Sequence, residues 1–173
     1  MPLWRRIAST ISVALLELAG LGYGRARFEV QHVDSDGTVL SRGVAANLVT
    51  NVGRQFLHAQ GYSASPATNG LNWFAVSPNA VDETATSIAL SGELSSNGFT
   101  RKQATSISGP TGAGNQTVLK VEFSATGTQT VQKAALCSLS SGGTVSHILA
   151  FPQGSVTLVA GQKLIIFVTI TLG

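Results

Sequence analysis

The chain contains three histidines, a residue type that can bind a metal or act as a general base. His32, His58 and His147 are far apart, and no pair has a helical metal spacing such as H-x3-H. His32 and His147 fall in predicted strands, and His58 falls in a predicted helix. We interpret all three as surface or half-buried histidines and predict no metal site.

Paired carboxylates are the second arrangement that could support chemistry. Asp34 and Asp36 resemble the start of a calcium loop, but the acidic residue that should close such a loop is missing. The Asp-Ser-Asp-Gly order is typical of a tight turn. We therefore predict a hairpin turn at residues 34–37. Asp82 and Glu83 form the one adjacent acidic pair, in a segment predicted to be an ordered loop.

No nucleophile lies in a pattern that predicts catalysis. The single cysteine, Cys137, excludes an intrachain disulfide and a zinc-cysteine cluster, and its apolar surroundings predict a small buried side chain. The chain has no Gly-x-Ser-x-Gly elbow. The glycine-rich residues 109–114 lack the Gly-Lys-Ser/Thr of a phosphate loop and precede a strand, so we predict a plain loop. These patterns predict a protein that is not an enzyme and has no cofactor.

Two small groups of side chains could contact a ligand. Tyr62 and Trp73 flank a polar segment and could form a stacking platform for a sugar, although packing is the commoner role of such residues. Arg101 and Lys102 could contact an acidic neighbour or a glycan. We favour instead a solvated strand edge that discourages stray pairing.

Composition narrows the possible partners. Hydrophobic residues make up 43% of the 173 residues and charged residues only 11%, so the polar surface is largely uncharged. The net charge of +3 includes no run of more than two basic residues. A nucleic-acid interface needs a basic stripe, and we therefore predict no nucleic-acid partner.

The hydrophobic pattern predicts a mainly β protein. Residues 163–172 alternate strictly, with Leu164, Ile166, Val168, Ile170 and Leu172 on one face. About eight strands separated by regular turn signals predict an antiparallel β-sandwich, with a jelly roll as the favoured topology. The predicted strands cover residues 25–33, 38–44, 71–77, 98–108, 117–125, 131–139, 144–151, 155–159 and 163–172.

One segment of the body changes to a helical period. Leu48, Val52 and Phe56 recur every four residues, and Asn47 is a suitable N-cap. The spacing predicts a short helix over residues 47–60 that lies against the sheet. For residues 78–97 we predict an ordered loop with a short helical turn.

The N-terminal segment 1–24 is predicted to be an apolar assembly arm on a sandwich domain of residues 25–173. Its basic start and short apolar run are similar to a signal peptide, but Glu17 interrupts the run, which is too short to cross a membrane. A helix over residues 3–19 that faces a membrane is the alternative. An amphipathic arm fits better, because five apolar side chains recur at helical spacing: Trp4, Ile7, Ile11, Leu15 and Leu18.

The order of several short motifs resembles small structural proteins of tailed bacteriophages. The likeness covers about residues 26–173, and the order of the motifs is more specific than any single motif. The motifs are Asn-Leu-Val-Thr-Asn-Val-Gly at 47–53, Trp-Phe-Ala-Val at 73–76, a Thr/Ala-rich segment ending in Leu-x-x-Glu at 82–93, Gly-Phe-Thr-Arg at 98–101, Phe-Ser-Ala-Thr-Gly at 123–127, an Ala-Ala-Leu strand, a Ser-Gly-Gly hairpin and the final alternating strand.

The resemblance implies a virion component with a jelly-roll-like body and no active site. The favoured role is a capsid decoration or cement protein that binds the major capsid protein or other virion proteins, as a homo-oligomer for which a trimer is favoured. A tail, baseplate or fibre component that binds a receptor glycan is the alternative. The resemblance carries over no functional residue, and the arm before Gly20 departs from many relatives.

Overall fold

The computed structural model describes residues 25–46, 48–62, 70–111 and 116–171. Within these ranges the chain forms twelve strands and one helix, and all strand pairs are antiparallel. The elements are β1 (Arg25–Val33), β2 (Val39–Ala46), β3 (Leu48–Val49), α1 (Asn51–Tyr62), β4 (Trp73–Ser77), β5 (Lys102–Gln103), β6 (Ser106–Thr111), β7 (Gln116–Ser124), β8 (Gln129–Val131), β9 (Lys133–Cys137), β10 (Val145–Ala150), β11 (Val156–Leu158) and β12 (Lys163–Thr171).

The strands form two five-stranded sheets and one small pair. The first sheet has the order β2-β1-β12-β7-β6, and the second has the order β3-β10-β9-β4-β5. Strands β11 and β8 form the pair. Strand β12 lies in the middle of the first sheet, where nine of its residues pair with β1 and nine with β7.

One apolar core fills the space between the two sheets. The first sheet contributes alternate residues of β1, β7 and β12, and the second contributes alternate residues of β4 and β9. Phe99 stacks on Phe123 within this core, with ring centroids 5.9 Å apart. The predicted mainly β, antiparallel sandwich is therefore confirmed, whereas the jelly-roll topology stays a prediction.

The second sheet is also packed on its opposite face. Alternation along β4 and β9 places Ala75, Ala135 and Cys137 there, in a cluster with Leu90 from the loop between β4 and β5. Helix α1 lies against β10 at the same sheet. A Cβ atom on Gly53 would come within 2.5 Å of the Ser146 Cα, so only glycine allows this close approach of the helix.

Several predicted elements are confirmed close to their predicted bounds. The β1–β2 hairpin turns at residues 34–37, where Asp34 N–H donates to the Thr38 carbonyl at 2.8 Å. Strand β7 buries Leu119, Val121 and Phe123, as its alternation predicts. Strand β12 buries Leu164, Ile166 and Val168 on its core face.

The predicted helix start was wrong. The helix begins at Asn51, because Leu48 and Val49 pair with β10 as a short strand. Thr50 is the N-cap: its Oγ1 accepts a hydrogen bond from Gly53 N–H at 3.0 Å and donates one to the Val145 carbonyl at 2.6 Å. Asn47 itself lies outside the described residues.

Two predicted strands were wrong because the chain changes sheets within them. The strand predicted at 98–108 is divided into β5, which pairs with β4, and β6, which pairs with β7 and extends to Thr111 into the predicted loop. The strand predicted at 131–139 is divided at Gln132 into β8 of the small pair and β9 of the second sheet. Residues 78–101 form turns and loop with no helix in this described segment. The described chain therefore contains twelve strands in place of the nine predicted ranges.

Replacing Ile166 by alanine should destabilise the protein by about 3 kcal/mol, because a fully buried isoleucine in the central strand leaves a cavity. Urea unfolding monitored by fluorescence measures this change. Ile165→Ala on the same strand is the matched control, with a half-buried side chain on the opposite face and an expected cost of about 1 kcal/mol. Equal costs for the two variants would contradict the assigned core face of β12.

Candidate assembly surface

The first sheet has a second face, which we call the outer face, that points away from the sandwich core. It consists of the side chains that alternate with the core residues of β2, β1, β12 and β7. Cross-strand register places them in rows, such as Val44, Glu29, Phe167 and Lys120, because paired residues share a face. The outer face comprises Arg42, Val44, Arg27, Glu29, Gln31, Lys163, Ile165, Phe167, Thr169, Val118, Lys120 and Glu122.

The centre of the outer face is apolar. Phe167 and Ile165 lie on the central strand β12, and Val118 lies diagonally beside Phe167 on β7. All three side chains are half-buried although they point away from the core. Lys120 places its Nζ 5.8 Å from the Phe167 ring centroid. An aromatic side chain and neighbouring aliphatic groups in the middle of a sheet face are typical of a protein-contact surface.

Four of the six charged side chains on the outer face form two ion pairs. Arg42 lies 2.7 Å from Glu29, and Lys163 lies 2.8 Å from Glu122. The hydrogen bond from Arg42 lowers the pKa of Glu29 despite its partial burial, and a bond from Gln31 adds to this effect. The other two charged side chains, Arg27 and Lys120, are both positive, so the outer face has an apolar centre and a net charge of +2.

Of the residues predicted to contact a ligand or a neighbouring subunit, the structure describes Trp73 and the backbone of Tyr62. Trp73 is half-buried on β4 and packs against the cluster that contains Ala75 and Cys137, so its observed role is packing. Tyr62 is the last residue of α1. The five predicted arm residues, Trp4, Ile7, Ile11, Leu15 and Leu18, lie outside the described residues, as does the whole 1–24 segment.

The prediction of a solvated basic edge at Arg101 was wrong. The Arg101 side chain is only 6% exposed, and its guanidinium donates two hydrogen bonds to the Glu93 carboxylate at 2.5 and 2.7 Å. It also donates to the carbonyls of Leu139 and Gly142 at 3.0 and 2.7 Å. For Arg101 the alternative prediction, contact with an acidic neighbour, is therefore the correct one. Arg101 fastens the loop between β4 and β5 to the β9–β10 turn.

The prediction of a surface or half-buried histidine was wrong for His147. Its side chain is buried beside Ser146, whose Oγ lies 2.7 Å from His147 Nδ1, and Ser146 Oγ also donates to the Leu136 carbonyl. Burial lowers the pKa of His147 to about 4, so the imidazole is neutral at pH 7. His32 is half-buried and contacts Gln162 at 2.9 Å, as predicted for this residue.

Cys137 is buried in the second sheet, as the sequence predicts. Burial raises the pKa of its thiol to about 12, so the reactive thiolate is scarce at neutral pH. The acidic turn is also explained by local structure. Asp36 Oδ1 accepts a hydrogen bond from Thr38 N–H at 2.8 Å, and this bond lowers the pKa of Asp36.

A buried ion pair, which the sequence analysis missed, joins β9 to the loop after β4. Lys133 Nζ donates to Glu83 at 3.1 Å and to the Val81 carbonyl at 2.5 Å, and both charged side chains are less than one-tenth exposed. Burial by itself raises the pKa of Glu83, but hydrogen bonds from Ser91 N–H, the Ser87 hydroxyl and Lys133 outweigh it and lower the pKa overall. The one sequence feature that could have indicated this ion pair is Lys133 itself, a charged residue directly before the four apolar residues of β9.

This ion pair forms one wall of a cleft of about 310 Å³. Asp82 lines the cleft and is exposed, whereas Glu83 is held by Lys133. The cleft is lined by Ala46, Asn79, Ala80, Asp82, Glu83, Gln132, Lys133, Ile148, Leu149, Ala150, Phe151 and Gly154. Glu83 and Lys133 bind each other, which gives the ion pair a structural role in holding the loop on the second sheet.

Searches of known proteins give no relative for this chain. No protein-family model, no curated protein and no solved structure matches it. Within the described ranges, no three His, Cys, Asp or Glu side chains are grouped so that they could hold a metal ion. None of the helical structure in those ranges is both long enough and apolar enough to cross a membrane.

The buried neutral His147 should make the protein less stable as the pH falls from 6.5 towards 4. In this range the unfolded chain binds a proton at this histidine, with its ordinary pKa of 6.5, and the folded protein does not. The loss should approach about 3 kcal/mol. Urea midpoints measured at several pH values check it, with His147→Gln as the comparison. A wild-type pH dependence retained in full by that variant would refute the assignment.

Arg101→Ala should cost about 3 kcal/mol of stability, because it leaves the Glu93 carboxylate and two carbonyls without their partner. Arg42→Ala is a matched control that removes an arginine–glutamate pair from the surface, where the arginine side chain is 59% exposed. Its expected cost is much smaller, because solvent screens an exposed ion pair. Chemical unfolding of both variants compares them, and similar costs would count against the clamp at Arg101.

Proposed function

We propose that this chain is a non-enzymatic structural protein of a virion, which binds other protein subunits through the outer face. The observation that carries the proposal is the difference between the two sheets. The second sheet is packed on both faces, whereas the outer face of the first sheet presents Phe167, Ile165 and Val118 without a covering layer from the described residues.

A subunit that covers the outer face would gain stability from apolar burial. Each Å² of apolar surface removed from water contributes about 25 cal/mol. The charged pairs Arg42–Glu29 and Lys163–Glu122 lie around the apolar centre and could stay hydrated at the rim of such a contact. The favoured partner is a major capsid protein or another virion protein, and the favoured role is a decoration or cement protein on the capsid surface.

The bacteriophage-like motifs support this proposal through the structural positions of their residues. Thr50 and Gly53 of the first motif seat the helix on β10. Glu93 of the third motif binds Arg101 of the fourth. These residues are engaged in holding the fold together, which agrees with the resemblance to proteins that have no active site.

The N-terminal segment 1–24 has a place in the same proposal as an assembly arm. It joins the body at Arg25, the first residue of β1 in the first sheet. The apolar stripe of Trp4, Ile7, Ile11, Leu15 and Leu18 would add contact area on a neighbouring subunit. The alternative of a tail or fibre component that binds a glycan gains no support from Trp73, because that ring packs against the second sheet.

The proposal is tested by locating the chain in particles made by the genome that encodes it. An epitope inserted into the exposed turn at residues 35–37 should be labelled on the purified particles. Label on the head supports the decoration role, and label on the tail supports the alternative. Particles that lack the chain altogether would overturn the proposal.

Occupancy on these particles also tests the surface. Phe167→Glu should reduce occupancy at least about tenfold, because it places a charge in the centre of the contact. Val159→Glu is the control, since Val159 is 48% exposed and lies outside the outer face. Deletion of residues 1–24 tests the arm in the same assay. Normal occupancy of the Phe167 variant would exclude the outer face as the binding surface.

A further inference from the structure

We infer that β2 is a homotypic interaction surface, which forms an antiparallel strand pair with β2 of a second copy of this chain. β2 is an edge strand of the first sheet and pairs only with β1 in the part of the chain that the structure describes. One of its sides therefore presents backbone N–H and carbonyl groups that have no strand partner in those ranges. Such an edge is a template for another strand.

The other sheet edges differ from β2 in ways that limit pairing. The edge strands β3 and β5 of the second sheet have two residues each. The opposite edge of the first sheet, β6, contains Pro110, whose nitrogen cannot donate a hydrogen bond. β2 has eight residues and no proline, and its pairing with β1 is regular from Ser41 to Ala46. A register shift affects only the hairpin end of the strand.

The side chains of β2 do not protect its edge. Val39 and Leu40 are each 48% exposed, and Val44 is 37% exposed. Protein edges are usually protected by charged side chains that would have to be desolvated on pairing. The one charge on β2, Arg42, reaches back across the sheet to Glu29 at 2.7 Å and is neutralised there.

The edge is also held in an extended form before any partner binds. On its core side, Gly43 is in such close contact with Gln153 and Pro152 that a Cβ atom would overlap both side chains. β1, which carries β2, is itself paired along nine residues with the central strand. A pre-formed strand loses little conformational entropy when it pairs, which favours association.

A second copy is the occupant that fits these features. The edge requires an extended strand with few charges, and β2 itself is such a strand. A two-fold axis perpendicular to the sheet would pair the two strands in antiparallel orientation and use the same surface twice. The product is one continuous ten-stranded sheet, in which the outer faces of both copies point the same way. Two joined outer faces would bind a repeating surface with a higher effective affinity than one.

Sedimentation velocity of the full chain tests the pair. The wild type should show a concentration-dependent dimer. The double variant Leu40→Lys/Val44→Lys should raise the dimer dissociation constant at least about tenfold, because like charges face each other across an antiparallel pair. Ile88→Lys/Val159→Lys is the matched control: it adds the same charge at two other exposed apolar positions and should change the constant less than about twofold.

Disulfide trapping checks the strand orientation. Single cysteines placed in turn at positions 41–46 should give a maximum yield at the residue on the two-fold axis, with lower yields on both sides. The native Cys137 is buried and does not compete. A monomer, a trimer, an equal effect of both lysine variants, or a dimer lost on deletion of residues 1–24 would each overturn the inference. None of these outcomes depends on whether the chain is found in a virion.

Discussion

The pairing of β12 with strands on both sides is the constraint on which the rest of the molecule depends. β12 joins β1 and β7 in one sheet, and its strict alternation assigns Leu164, Ile166 and Val168 to the core. A shift of one residue would exchange these side chains with Ile165 and Phe167. The same register therefore fixes both the packed core and the composition of the outer face.

The connections between strands of the second sheet are held by specific polar contacts. The long segment between β4 and β5 is fastened by Arg101 to the β9–β10 turn and by Glu83 to Lys133 of β9. Helix α1 is fastened to β10 by Thr50. Loops of this length lose much conformational entropy on ordering, and buried charged hydrogen bonds restrict them to one arrangement. The polar residues that could have indicated chemistry are thus used in positioning the backbone.

The sequence predicted the strands well where a strand stays within one sheet. Alternation alone located β1, β7 and β12, because one face of each is buried and the period of two is undisturbed. It failed at residues 104–105 and at Gln132, where the chain leaves one sheet for another with no glycine or proline to mark the change. It also failed to predict the burial of His147 and Lys133. Burial of a charged or polar side chain depends on residues distant in sequence, such as Glu83, which binds Lys133 from the loop after β4.

The sequence contains an indication of the outer face, but it can be interpreted only when the order of strands in the sheet is known. Ile165 and Phe167 are apolar although they alternate with the core residues of the same strand. A strand that is apolar on both sides is typical of a sheet covered on both faces. The second sheet meets this description within the described residues, since Leu90 and Trp73 pack on its far side. The first sheet has the same type of central strand, but the described residues form a core on only one of its sides. This uncovered apolar face is the physical basis for the proposed assembly role.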